Sequence, residues 1–132
     1  AARLAAEPSR APRTPANAER GVARAVRLIE REPRAALALD DLAREASLSR
    51  FHFLRAFARA TGLTPHRYVL RARLRRAAVL LATNDAHVID VALISGFRDV
   101  STFNHAYRAE FGTTPRRHRA HLRRAASAVR PE

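Results

Sequence analysis

Ile89-Asp90-Val91-Ala92, Gly96-Phe97, Ser101, Phe103-Asn104-His105-Ala106-Tyr107, Phe111-Gly112 and Thr114-Pro115 decide the fold, because most of this run has occurred once before. About 50 residues earlier stand Phe53-Leu54-Arg55-Ala56-Phe57 and Gly62-Leu63-Thr64-Pro65. Further upstream, Asp41-Leu42-Ala43 matches Asp90-Val91-Ala92, shifted by one residue because the second turn is longer. Each copy reads as a short helix, a tight turn and a longer helix. A plain helical bundle with two similar hairpins does not need turn, cap and stop to repeat together.

The rest of the chain reads as helices around these copies. Residues 1–16, with Pro8, Pro12 and Pro15 among Arg, Ala and Ser, are expected to be a flexible linker. Asn17 is the expected cap of a first helix, striped by Val22, Val26 and Ile29 and ended by Pro33. Asp40 is the expected cap of a short helix carrying Leu42, Ala43 and Ala46. Ser47-Leu48-Ser49 breaks it, Ser49 caps the next helix, and Gly62 supplies a left-handed stop. Thr64-Pro65 opens a long helix to about Ala82, with Leu70, Leu74, Ala77 and Leu81 on its buried stripe. After Asn84-Asp85, Val88, Val91, Ala92 and Ile94 are placed at the core of a helix ending at Gly96. A helix from about Ser101 to Phe111 and a short last one from Thr114-Pro115 complete the chain, with residues 125–132 a flexible tail. The class is all-α, about seven helices without a strand: a first subdomain at 17–64, a connecting helix at 65–83 and a second subdomain at 84–124.

Composition restricts what such a fold does. A chain of 132 residues, 47% of them apolar, is long enough to bury a core and is not a disordered tail. Its net charge is +13, and every one of the 25 basic residues is arginine, a bias read mainly as a GC-rich coding habit. The charge predicts attraction to polyanions, of which nucleic acid is the commonest. The absence of cysteine removes disulfides, thiolate metal sites and thiol nucleophiles together. No apolar run approaches the roughly 18 residues of a membrane span, and no signal-peptide pattern opens the chain. The expectation is a soluble cytoplasmic protein, associated with the bacterial nucleoid when bound to DNA, without a membrane partner. The lack of methionine suggests a piece of something longer, and the proline-rich start suggests an effector-sensing or dimerisation domain before residue 1.

Residues 39–49 with Phe51-His52-Phe53-Leu54-Arg55 resemble the first half of the AraC/XylS DNA-binding domain. Ile89 through Gly96-Phe97, Ser101, Phe103, Phe111-Gly112 and Thr114-Pro115 resemble its more diagnostic second half. The resemblance covers about Ala18 to Arg119. It implies two homeodomain-like helix-turn-helix subdomains joined by a long helix, each placing its second helix in a major groove of double-stranded DNA. It also implies RNA polymerase as a partner, a role in transcription regulation and activation, and a homodimer formed through the preceding domain. Three positions depart from the family pattern. His105 stands where arginine is usual, Val100 replaces a common polar residue in the turn, and His118 sits where a tyrosine often follows the final proline.

Within the first recognition helix Phe53, Ala56 and Phe57 are assigned to the core, which turns Arg50, Phe51, Leu54, Arg55 and Arg59 outward. Arg55 is the leading base reader, since a guanidinium bonds both O6 and N7 of guanine, with Phe51 and Leu54 against thymine methyls. Arg50 and Arg59 are phosphate candidates. In the second, Phe103 and Tyr107 take the core. Thr102 and His105 are expected at base edges, Ser101 at a base, at a phosphate or as the helix cap, and Asn104 and Arg108 at the backbone. Arg67, Arg71 and Arg75 share one face of the connecting helix at four-residue spacing, and Arg71 is the phosphate candidate there.

Other readings are weaker. His118 and His121 have a spacing that can ligate zinc, but no cysteine or carboxylate cluster accompanies them, so neither metal nor cofactor is expected. No nucleophile elbow, phosphate loop or paired-carboxylate motif frames a catalytic site, so no enzyme is expected. A DNA-repair alkyltransferase, some of which carry this domain, needs a reactive cysteine. A non-specific cationic helical protein acting on DNA or membranes would bind with strong salt dependence and little sequence preference.

Overall fold

The computed structural model describes residues 15–129, and within them the chain forms seven helices and no strand. These are α1 (Pro15–Arg31), α2 (Leu39–Ala46), α3 (Arg50–Thr61), α4 (Pro65–Thr83), α5 (Val88–Ile94), α6 (Val100–Phe111) and α7 (Pro115–Val129). They divide into two compact units, with the boundary inside α4 between Val69 and Leu70.

In the first unit α1 packs on α2 and α3. Val22, Ala25 and Ile29 of α1 meet Leu42, Ala43 and Ala46 of α2 and Phe53 and Phe57 of α3 in the buried set. Gly21 sets how closely α1 and α2 approach, because a Cβ there would lie 2.3 Å from the carbonyl oxygen of Ala46. Arg24 then ties the pair together: its Nε donates to Glu45 O at 3.1 Å and its Nη2 to Ala46 O at 3.1 Å. These are carbonyls at the end of α2 that its own turns leave without a partner.

The second unit is built on one cluster: Leu74, Ala77 and Leu81 of α4, Val91 and Ala92 of α5, Phe97 of the turn, and Phe103 and Tyr107 of α6. Leu70, Ala78, Val88 and Phe111 cover its edges. Helix α4 ends without the glycine that stops α3 and α6. One of its terminal carbonyls, Leu81 O, and two carbonyls of the loop that follows are taken instead by arginines of α7. Arg119 donates to Leu81 O (3.0 Å), Ala86 O (2.7 Å) and Asn84 O (3.2 Å), while Arg123 bonds Asn84 O and pairs with Asp85 at 2.8 Å.

Several boundaries differ from the sequence reading. Helix α1 opens at Pro15, a residue preformed for the first helical position, so Asn17 lies inside its first turn and bonds Arg20 rather than capping. Most of the expected linker, residues 1–14, lies outside the described residues. Asp40 does not cap α2: the helix starts at Leu39, and Asp41 reaches back to accept from the Ala38 amide at 3.0 Å. Val26 and Ala56 are half-buried rather than core, and Ile94 is exposed. The buried face of α5 is Val91, Ala92 and then Ser95, at helical spacing, which leaves Ile94 a third of a turn away. Helix α7 is not short and continues to Val129 through Ala125-Ala126-Ser127-Ala128, with no helix breaker among them, so residues 125–129 of the expected flexible tail are helical and residues 130–132 lie outside the described residues.

Candidate nucleic-acid interface

Helix α3 is capped by Ser49, whose Oγ accepts from the His52 amide, and stopped by Gly62 in the left-handed conformation. Phe53 and Phe57 anchor it with no exposure, their rings 5.4 Å apart, and Tyr68 of α4 meets Phe57 edge-on at 5.5 Å. The opposite face is in solvent. Phe51 is 74% exposed, a large aromatic that the core does not use, and Arg55 lies one turn further along the same face. Arg55 and Arg59 are exposed, and Leu54 is half-buried. Arg50 is exposed but paired with Asp40, Nη2 to Oδ1 at 2.7 Å. An exposed pair of this kind contributes at most about 1 kcal/mol.

Helix α6 repeats the plan with a different cap. Asp99, not Ser101, holds its N-terminus: Oδ1 accepts the Thr102 amide at 2.7 Å and Oδ2 the Thr102 hydroxyl at 3.2 Å. The Thr102 amide first, then its hydroxyl, keep the Asp99 carboxyl below the usual carboxylate range. Phe103 and Tyr107 are fully buried, with Phe97 packed on Phe103 at 5.1 Å. Ser101, Thr102, His105 and Arg108 are exposed and Asn104 is half-buried. Asn104 and Arg108 share a groove with Thr114, Pro115 and Arg116 at the start of α7. The Thr102 hydroxyl is thus shared with the cap, and Ser101 is left without a capping role.

Of the arginines on α4, Arg67 and Arg75 are exposed, whereas Arg71 donates through Nε to Glu110 Oε2 at 2.9 Å. That ion pair within the second unit gives Arg71 a structural partner which sequence reasoning did not foresee. His118, the candidate zinc ligand, lies at 2.6 Å from the Tyr107 hydroxyl through Nδ1 and packs on Tyr107 and Phe111. Burial raises the Tyr107 phenol to about 12 and, with the neighbouring His121, lowers the His118 imidazole. Both groups are therefore neutral near pH 7 and share one hydrogen bond between the phenol oxygen and Nδ1.

Sequence reasoning missed Asp99, Gly21, Arg24, Arg119 and the Tyr107–His118 pair. For Asp99 the signal was present, since Asp caps a helix as well as Ser does. For Arg119 it was indirect: a long helix running into Asn84 with no glycine stop must find partners for its carbonyls elsewhere.

The paired geometry has counterparts among known proteins. Residues 42–121 match a family model described as a helix-turn-helix domain. The transcriptional activator RhaS of Escherichia coli is 42% identical over 77 residues, 58% of this chain but only 28% of RhaS. The DNA-binding domain of AdpA, a global transcriptional factor solved in complex with a target DNA, aligns with a TM-score of 0.73 and 30% identity. That alignment covers 79% of this chain and 94% of the AdpA domain. An AraC-type regulator from Chromobacterium violaceum aligns with a TM-score of 0.76 and 33% identity over 81% of this chain and 96% of its own. With two units built alike, each setting a solvent-facing helix on a fully buried aromatic pair, the chain belongs to the AraC/XylS family of helix-turn-helix DNA-binding proteins.

Proposed function

We propose that this chain reads a specific double-stranded DNA site with α3 and α6, each in a major groove, and so regulates transcription. The observation that carries this is the outer face of α3. Phe51 and Arg55 stand exposed one turn apart on a helix whose other side is fixed by two fully buried phenylalanines, a rigid mount for base contacts. In α6 the corresponding positions are Ser101 and His105, with Thr102 nearby. Leu54 and Asn104 flank the two reading faces. Arg59 and Arg108, and Arg50 once released from Asp40, fit phosphate contacts, while Arg71 fits that role less well because Glu110 holds it.

Regulation through RNA polymerase, activation in the manner that the name of RhaS records, and dimerisation through a preceding domain belong to the whole protein and are part of this proposal. Action at the nucleoid is as well. Among the described residues no helix is long and apolar enough to cross a membrane. Selection of bound sites from a random DNA pool tests the reading. Two short boxes about one helical turn apart are expected. Retention that falls with salt and enriches no sequence would replace it with non-specific cationic binding.

A further inference from the structure

The two units can be laid on one another residue by residue. Asp41-Leu42-Ala43 and Asp90-Val91-Ala92 set the register of α2 on α5, and burial agrees: Leu42, Ala43 and Ala46 are buried, as are Val91, Ala92 and Ser95. The turn agrees too, with Ser47 and Gly96 both at positive φ. In that register the outward positions of α2 hold Asp40, Arg44 and Glu45, all charged and exposed. The same positions of α5 hold Ile89, Leu93 and Ile94, which are 51%, 51% and 40% exposed. The fold does not require aliphatic residues there, since the first unit is built without them.

The surroundings of this face are unusual in a second way. A chain with 25 arginines has none between Arg76 and Arg98. Arg119 and Arg123 reach the stretch from α7, but backbone carbonyls and Asp85 engage them. Asp90 adds an exposed carboxylate beside Ile89. At +13, two copies repel one another over nearly their whole surface. The outer face of α5 itself carries no arginine, and the exposed Arg98 follows only after its end, so two copies that meet there bring fewer opposing cations together than elsewhere.

We propose that the exposed aliphatic face of α5 is a contact between two copies of this chain, formed when both sit on neighbouring DNA sites. Apolar residues of one copy meet the same residues of the other, the arrangement of an isologous interface. Three half-exposed side chains cover on the order of a few hundred Å², far below the roughly 1,200 Å² at which stable interfaces begin. The contact is therefore too small to hold free copies together. It acts where DNA holds two copies at an effective concentration of about 1 mM. The setting rests on the DNA-binding reading, but the contact itself can be measured without DNA.

The test uses the chain and a variant that gives α5 the charges α2 carries: Ile89→Asp, Leu93→Arg and Ile94→Glu together. The first unit shows that this pattern suits the fold, and Leu93→Arg alone serves if the triple variant is unstable. In salt of about 0.5 M, which screens the repulsion, backbone NMR shifts are followed from about 1 mM to about 20 µM. Concentration-dependent shifts confined to α5 and its ends are expected, and are lost in the variant. On DNA with two sites, the second copy should bind roughly tenfold more tightly at one phasing. The variant should lose that gain and keep its single-site affinity. Shifts that are absent, or that persist in the variant, overturn the proposal. So does a parent chain without such shifts whose variant loses stimulation of purified RNA polymerase, since the face would then serve the polymerase.

Discussion

Ser95 occupies in the second unit the place that Ala46 holds in the first: both are fully buried, three residues after a buried alanine, at the end of the first helix of the turn. The difference is one hydroxyl, and the Ser95 Oγ has no hydrogen-bond partner among the described residues. A buried hydroxyl without a partner costs about 1–3 kcal/mol relative to solvent. Ser95→Ala removes that cost without opening a large cavity, and Ala46 shows that the smaller side chain fills this place. We expect a gain of about 1 kcal/mol in urea unfolding. A loss of stability would show that the hydroxyl has a partner, such as a bound water.

The next residue in each turn is left-handed, and here the first unit carries the less suitable one. Ser47 has φ 59°, where Gly96 of the second unit has φ 103°. The left-handed conformation costs a non-glycine residue roughly 1–2 kcal/mol, offset in part by the greater backbone freedom of glycine in the unfolded chain. Ser47→Gly keeps the amide bond to Arg44 O, which the backbone makes at 3.0 Å. A gain of about 0.5 kcal/mol is expected. Thermal unfolding at constant pH and salt decides it, and a lower midpoint would mean that the Ser47 side chain stabilises the turn.

His118 stands in the second unit where Tyr68 stands in the first, each stacked edge-on against the aromatic residue of the recognition helix at 5.5 Å. Burial, and then His121, hold the imidazole below its ordinary value. The unfolded chain therefore takes up a proton at His118 before the folded one does. Stability is full above the unfolded value, near pH 6.5, and falls as the pH drops through that value toward the lower native one. His118→Tyr, which borrows the residue of the first unit, removes this contribution. Urea unfolding at pH 7.5 and pH 5.5 should show a larger loss in the parent than in the variant. Equal losses would place the acid sensitivity among the other five histidines or the carboxylates.

What was legible follows from how each feature is encoded. The repeat of Phe53, Phe57, Gly62 and Thr64-Pro65 as Phe103, Tyr107, Gly112 and Thr114-Pro115 carries the core spacing, the stop and the next start. Local rules therefore placed α3, α4 and α6 within a residue or two. The outward sets on α3 and α6 followed from the same period. The misplaced features depend on partners distant in sequence. Arg71 looks like any exposed arginine until α6 brings Glu110 to it, and Arg119 becomes a helix cap only when α7 crosses the end of α4. Ile94 is expected inward, but the buried set Val91, Ala92 and Ser95 keeps helical spacing and brings the serine to the core in its place.

Arg55 and Arg59 lie on one exposed face, one turn apart, and should fail differently when removed. Arg55 sits beside Phe51, facing the bases in the proposed pose, and Arg59 lies in the last turn of α3, where phosphate contact is the expectation. Arg55→Ala should cost roughly 1–3 kcal/mol on the selected site and relax preference at one base pair. Arg59→Ala should weaken specific and random DNA alike and reduce the salt slope by about one. Titration of both variants on both DNAs separates the roles. Equal losses for Arg55→Ala on specific and random DNA would remove it from base reading.

His105 occupies in α6 the position that Arg55 occupies in α3, exposed on the face away from Phe103 and Tyr107. Arginine presents a fixed positive fork at any accessible pH, whereas an imidazole changes charge between about pH 5 and 8. Neutral imidazole offers one donor and one acceptor, and the cation offers two donors. The groups near it on its own helix are Ser101, Thr102 and Arg108. Phosphates lining a groove attract the cation. DNA therefore binds the protonated form more tightly, and affinity for the selected site should rise as the pH falls from about 7.5 to about 6. His105→Arg should lose that dependence and shift preference toward guanine at the contacted position. The lower end of this window overlaps the range in which protonation of His118 lowers stability, so folding is monitored in the same samples. The decisive measurement is affinity against pH for both proteins at constant salt. Parallel curves would mean that His105 does not face the bases, because the remaining slope would belong to the histidines the two proteins share.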